Sequence, residues 1–257
     1  MKKLILLSIS ISVALFCSAQ FRFNKTTGAI TGYYGTAPAE LIIPSDIKGV
    51  AVQTISVRAF LDNTDIKSVI IPNTVLSIED YAFSGCSNLA NLMLGSAVKS
   101  IGAGAFQTSQ LAEVNIPNSV EMIGIGAFMN CKNLTSLILG NSIIEIGNAA
   151  FRNCRIENLV IPNSVTTIGT NAFQNNSCMK TLSIGSSLTT VGISPFAGCI
   201  GLTKITAYPT TPVDLTNNPL TFYQLNVATC TLYVLAKSVD AYKSANIWKK
   251  FVNIIGL

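Results

Sequence analysis

The sequence predicts a leucine-rich repeat solenoid, mostly β and right-handed, with a curved parallel sheet and a cap at each end. Three observations predict it. A phenylalanine, usually preceded by alanine, recurs at Phe60, Phe83, Phe106, Phe128, Phe151, Phe173 and Phe196, so the beat is 22 or 23 residues. An L-x-x-L-x-L line follows it, as in Leu134-Thr-Ser-Leu137-Ile-Leu139. A cysteine three residues after the phenylalanine returns at Cys86, Cys131, Cys154 and Cys199. A fixed period of 20–29 residues built this way describes stacked coils, each too small to bury its own apolar side.

The chain divides into four stretches. Residues 1–19 read as a signal peptide: basic Met1-Lys2-Lys3, an apolar run from Leu4 to Phe16, and a small-x-small site at Cys17-Ser18-Ala19. Lipidation at Cys17 is disfavoured because Phe16 is too large for the residue before it. Residues 20–58 read as an N-terminal cap and irregular first repeat. Strand formers between Gly28, Gly32 and Gly35 suggest a hairpin there, and Leu41-Ile-Ile-Pro44 supplies the first repeat-like strand.

Residues 59–207 carry the regular repeats. After each phenylalanine come a loop of five or six residues, a strand, a stop, and a short Val-x-x-Ile segment leading to the next beat. The stops alternate as Pro72, Gly95, Pro117, Gly140, Pro162 and Gly185. Proline lacks the N–H that a ladder needs, and glycine permits positive φ. Loop lengths alternate with the same 45-residue period, which reads as duplication of a two-coil unit. Residues 208–257 read as the closing cap. In it Thr231-Leu-Tyr-Val234 forms a strand, Ser238 caps a helix with Asp240 in its first turn, and Tyr242, Trp248 and Phe251 form an aromatic lid.

The lines Ile116-Pro-Asn-Ser-Val through Phe128 and Ile161-Pro-Asn-Ser-Val through Phe173, with the ending Leu232-Tyr-Val … Asp240-Ala-Tyr242 … Trp248, resemble the BspA-like leucine-rich repeats, the Treponema pallidum type. The resemblance covers nearly the whole mature chain. It implies an extracellular or surface binding module, some relatives being implicated in adherence to host proteins. It brings no catalytic residues. Longer relatives often carry anchoring or sorting modules beyond the cap, and none is read before Leu257 here. No second apolar run reaches the roughly 18 residues needed to span a bilayer, so the expected product is exported and then released, or held by something other than a membrane helix: secreted, periplasmic or on the cell surface.

Composition narrows the chemistry. The chain is 49% hydrophobic and 11% charged, a bias that fits coils covered by Ser, Thr and Asn. Setting aside Lys2 and Lys3 leaves 15 basic against 12 acidic residues, a balance near +3 and too dispersed for nucleic acid. Histidine is absent, which removes the commonest general base and metal ligand. The cysteines lack the short spacings of a metal site and read as a buried ladder of free thiols, a bond between Cys131 and Cys154 being the alternative. Ser45-x-x-Lys48 and Ser96-x-x-Lys99 mimic a hydrolase motif, but Ser96 is the recurring turn residue and Lys99 a variable position. Asp62, Asp65, Glu79 and Asp80 read as a solvated acidic loop ahead of a calcium site. No cofactor is implied, and no enzyme.

What remains is the strand face. Side chains alternate along a strand, so the residue between inward leucines points out. One outward row is Ile70, Met93, Asn115, Ile138 and Val160, continuing to Ser183 and Thr206. The row beside it is Ser68, Asn91, Glu113, Ser136 and Asn158, continuing to Thr181 and Lys204. Parallel strands set these rows on one continuous face. An apolar row flanked by polar groups marks an interaction surface, although β-propensity alone also selects Ile and Val. The expected role is non-catalytic binding of an extracellular or host protein. A glycan ligand, or a structural spacer in the envelope, is the alternative. The outward rows hold no Trp or Tyr platform, which favours protein over glycan.

Overall fold

The computed structural model describes residues 20–257, so the leader and Cys17 lie outside the described residues. The architecture is a parallel β-solenoid with little helix. Each coil contributes two short strands, and each set stacks into its own sheet. The Val-x-x-Ile segments form one sheet, from Thr54–Ile55 through Ser77–Ile78, Ser100–Ile101, Met122–Ile123, Glu145–Ile146 and Thr167–Ile168 to Thr190–Val191. The L-x-L segments form the strand face: Glu40–Ile42, Ser68–Ile70, Asn91–Met93, Glu113–Asn115, Ser136–Ile138, Asn158–Ile161, Thr181–Ile184, Lys204–Ala207, Thr231–Val234 and Asn253–Gly256.

The core between the sheets is a column of phenylalanines. Phe60, Phe83, Phe106, Phe128, Phe151, Phe173 and Phe196 are buried, and successive rings lie nearly parallel at 5.0 to 5.7 Å. The stack runs on to Phe222, 5.9 Å from Phe196, and there it ends against Trp248 and Phe251, both set edge-on. Offset and edge-on geometries both suit the ring quadrupole, and the turn from one to the other closes the column.

Tight turns on either side of each phenylalanine make the coil. The residue two places before the ring is left-handed in Arg58, Tyr81, Gly104, Gly126, Ala149, Asn171 and Ser194. The residue two places after it is left-handed in Asp62, Gly85, Thr108, Asn130, Asn153, Asn175 and Gly198. Asn and Gly are cheap there; Thr108, β-branched at φ 63°, is not.

The 45-residue alternation has a physical basis beyond duplication. A methyl group on Gly95, Gly140 or Gly185 would overlap the carbonyl oxygen of Pro72, Pro117 or Pro162 in the preceding coil. The asparagine after each proline accepts from the amide after each glycine: Asn73 from Ser96, Asn118 from Asn141, Asn163 from Ser186, at 2.8 to 2.9 Å. Pro-Asn and Gly-x are therefore the two halves of one joint.

The slot three residues after the ring works the same way from coil to coil. Cys86 donates its thiol to the Phe60 carbonyl, Cys131 to Phe106, Cys154 to Phe128 and Cys199 to Phe173, at 3.2 to 3.3 Å. Asn176, buried in the same slot, donates to the carbonyls of Phe151 and Phe173. All of these thiols are free, and Cys131 and Cys154 do not pair.

Two local expectations need correction, and one element was not foreseen. The Gly28–Gly35 stretch is one arm of a hairpin and not the whole of it: Ala29–Tyr33 pairs antiparallel with Phe21–Asn24. The insert before Val52 holds a small hairpin, Asp46–Ile47 with Val50–Ala51. Ser238 stands before the helix Val239–Ser244 but makes no capping bond, because a 3-10 turn, Ala236–Ser238, already gives it helical backbone angles. The aromatic lid is held by hydrogen bonds: Tyr242 donates to the Pro209 carbonyl and Trp248 to that of Val213.

Candidate functional site

The strand face has the alternation that the sequence predicts. Val69, Val114, Leu137 and Leu159 point into the core, while Met93, Ile138 and Val160 are 60 to 63% exposed between them. Asn91, Glu113, Asn115, Ser136 and Asn158 are exposed as well; Ser68 and Ile70 are half-buried. Register brings Ser68 beside Asn91 and Ile70 beside Met93, Glu113 beside Ser136 and Asn115 beside Ile138, and Ser136 beside Asn158.

The face is not one continuous sheet. No pairing joins Asn91–Met93 to Glu113–Asn115, so the first three strands form a separate sheet from the remaining seven. The cause is coil length. From Asn91 to Glu113, and again from Ser136 to Asn158, the step is 22 residues; elsewhere in the regular array it is 23. The 23-residue steps give three or four registered pairs, the second short step gives one, and the first gives none. In the short coils the loop gives up its own turn and bonds one residue early to the coil below, Gln110 to Leu89 and Arg155 to Leu134. Longer loops keep that turn, as Leu134 to Cys131.

The apolar row is therefore two clusters. Ile70 and Met93 lie on one side of the break, Ile138 and Val160 on the other, with Asn115 between them. A shallow concavity of about 400 Å³ lies at the break, lined by Glu40, Ser68, Ile70, Asn91, Met93 and Glu113.

Both rows run further than the sequence reading took them. Ile42 pairs with Ile70 at one end, and at the other the register continues from Thr206 to Tyr233 and Ile255. Tyr233 thus stands on the outward row, correcting the expectation that the row holds no aromatic residue. The irregular spacing of the cap hid it, although its strand was legible. Its ring face is occupied: the Lys204 ammonium sits 5.0 Å from the ring centroid. Thr206 is largely covered, so the row is exposed only in part.

Three of the groups weighed for chemistry have structural duties. Glu79 accepts from the Val57 amide, Asp80 from that of Ala103, and Lys99 pairs with Glu121 at 3.5 Å. Burial pushes the thiols of Cys86 and Cys199 up to about 12 and that of Cys131 up to about 11, away from nucleophilic form. Among the described residues no helix is long and apolar enough to cross a membrane.

Comparison with known proteins follows the same lines. The pattern described as the BspA type leucine rich repeat region matches residues 53–180 and 99–224. A crystal structure of a leucine-rich repeat protein from T. pallidum is 29% identical, with a TM-score of 0.65, over 71% of this chain and 87% of that one. A leucine rich cell surface protein from Faecalibacterium prausnitzii A2-165 is 20% identical over 91% and 92%, at a TM-score of 0.47. A leucine-rich repeat protein from Bacteroides ovatus ATCC 8483 is 19% identical over 92% and 87%, at 0.35. No curated protein matches.

Proposed function

Because the chain belongs to the family of BspA type leucine-rich repeat proteins, we propose that it is a non-catalytic module that binds a protein partner outside the cytoplasm through its strand face. Leucine-rich repeat solenoids are interaction scaffolds as a class. The observation that carries the reading here is the exposure of Met93, Ile138 and Val160 on a face whose alternate residues are buried. Flanked by Asn91, Ser136 and Asn158, they offer apolar area to bury and polar groups to hydrogen-bond around it. Export rests on the basic, apolar and small-x-small pattern of residues 1–19. A glycan platform is less favoured, since Lys204 already covers one face of Tyr233.

The test is a binding screen of the purified protein against extracellular proteins and glycans. A saturable protein ligand, competed by antibody to the strand face, is the expected result. A panel that binds nothing, or binds only glycans, contradicts it, the first outcome pointing to a structural spacer.

A further inference from the structure

The concavity on the strand face lies over the first three strands and reaches across the break to Glu113, a groove whose walls differ in kind. Glu40 and Glu113 stand at its two ends in one row, with Ser68 and Asn91 between them; Ile70 and Met93 form the parallel row. No pairing joins Asn91–Met93 to Glu113–Asn115, so the ladder is interrupted at the Glu113 end of the groove. Among the described residues neither glutamate has an ion-pair partner, whereas Glu121 and Glu157 on later coils are matched by Lys99 and Lys180. Lys67, next to Ser68 in the chain, forms no salt bridge with either.

We propose that this groove docks an extended protein segment carrying two basic side chains about four residues apart, a refinement that rests on strand-face binding. Glu40 and Glu113 are three coils apart, roughly 14 Å at the usual strand spacing, and an extended chain covers that distance in about four residues. Two cations at that spacing meet the two carboxylates while the residues between them pass over Ser68 and Asn91, beside the apolar Ile70 and Met93. A charge-assisted hydrogen bond to a carboxylate is about twice as strong as a neutral one, so the acids select basic residues over polar ones. Further along the row stands Lys204, which disfavours a segment that stays basic along the whole face.

The experiment is an NMR titration of the isotope-labelled protein with a capped peptide bearing two arginines four residues apart over apolar residues. The same peptide with glutamines, and calcium chloride alone, are the comparison arms. The expected result is saturable shifts at the amides of Leu92, Met93 and Glu113, with the arginine peptide binding at least about tenfold more tightly, one charge-assisted pair's worth. Glu40→Gln with Glu113→Gln should erase that preference. Equal binding of the glutamine peptide, shifts driven by calcium alone, or a preference that survives the double substitution each overturns the groove. Strand-face binding stands separately: it survives such a result if Ile138→Lys still weakens the partner found by screening, and falls with the groove if it does not.

Discussion

Phe128 lies between Phe106 and Phe151 at ring separations of 5.3 and 5.2 Å and is fully buried. Phe128→Ala should cost about 3–5 kcal/mol, as large-to-small core changes do. Because each coil touches only its neighbours, the unfolding transition should also broaden. A denaturant melt that stays within a few tenths of a kcal/mol of wild type would remove Phe128 from the core. The thiols give a second residue-scale prediction. With folded values near 12 for Cys86 and Cys199, against about 9 when exposed, their contribution to stability is complete below pH 9 and is lost as pH rises toward 12. Thiol reagents at pH 8 should leave Cys86, Cys131, Cys154 and Cys199 unmodified until denaturant is added; rapid native labelling contradicts the ladder. Both features were legible, since the ring and its slot recur at fixed offsets. Asn176 was legible by the same offset, three after Phe173, but a search for cysteines passes over it.

At the scale of elements, the joint between Pro-Asn and Gly-x and the break in the face both come from coil length and stop residue. Gly140→Ala should cost about 1–3 kcal/mol, because its methyl group meets a backbone carbonyl that cannot rotate away. Ser187→Ala, on an exposed turn, should stay within about 0.5 kcal/mol, and equal melting of the two variants would argue against the joint. The break predicts a pattern of amide exchange: Leu92, Glu113 and Asn115 should exchange faster than Leu182 and Ser183, which lie in a fully paired stretch. Equal protection at both places would mean that the gap closes in solution. The sequence carried the number that opens it, 22 in place of 23. It did not carry the consequence, because two short steps of equal length lose different amounts of pairing. That difference depends on how neighbouring strands settle in three dimensions.

Across the whole molecule, the solenoid exposes one long face and closes its ends with unlike caps. The fold was legible nearly throughout because a beat struck seven times overrides local ambiguity, whereas in the caps, met once each, single elements were legible but not the way they pair. Tyr233 and Ile255 joined the outward row only when the cap strands were seen to pair with Lys204–Ala207 and with each other. The ten residues expected along the strand face stand in its two outward rows, the apolar ones in two clusters. Their role in binding is the central claim, and the charge variant Met93→Lys with Ile138→Lys tests it most directly. Both side chains are about 60% exposed, so the folded protein should lose no more than roughly 0.5 kcal/mol per site. The affinity of the partner identified by screening should nevertheless fall at least about tenfold, because a charge buried without a partner costs more than the 1.4 kcal/mol which that factor represents. An unchanged affinity in a normally folded double variant would contradict the account and move the site off the strand face.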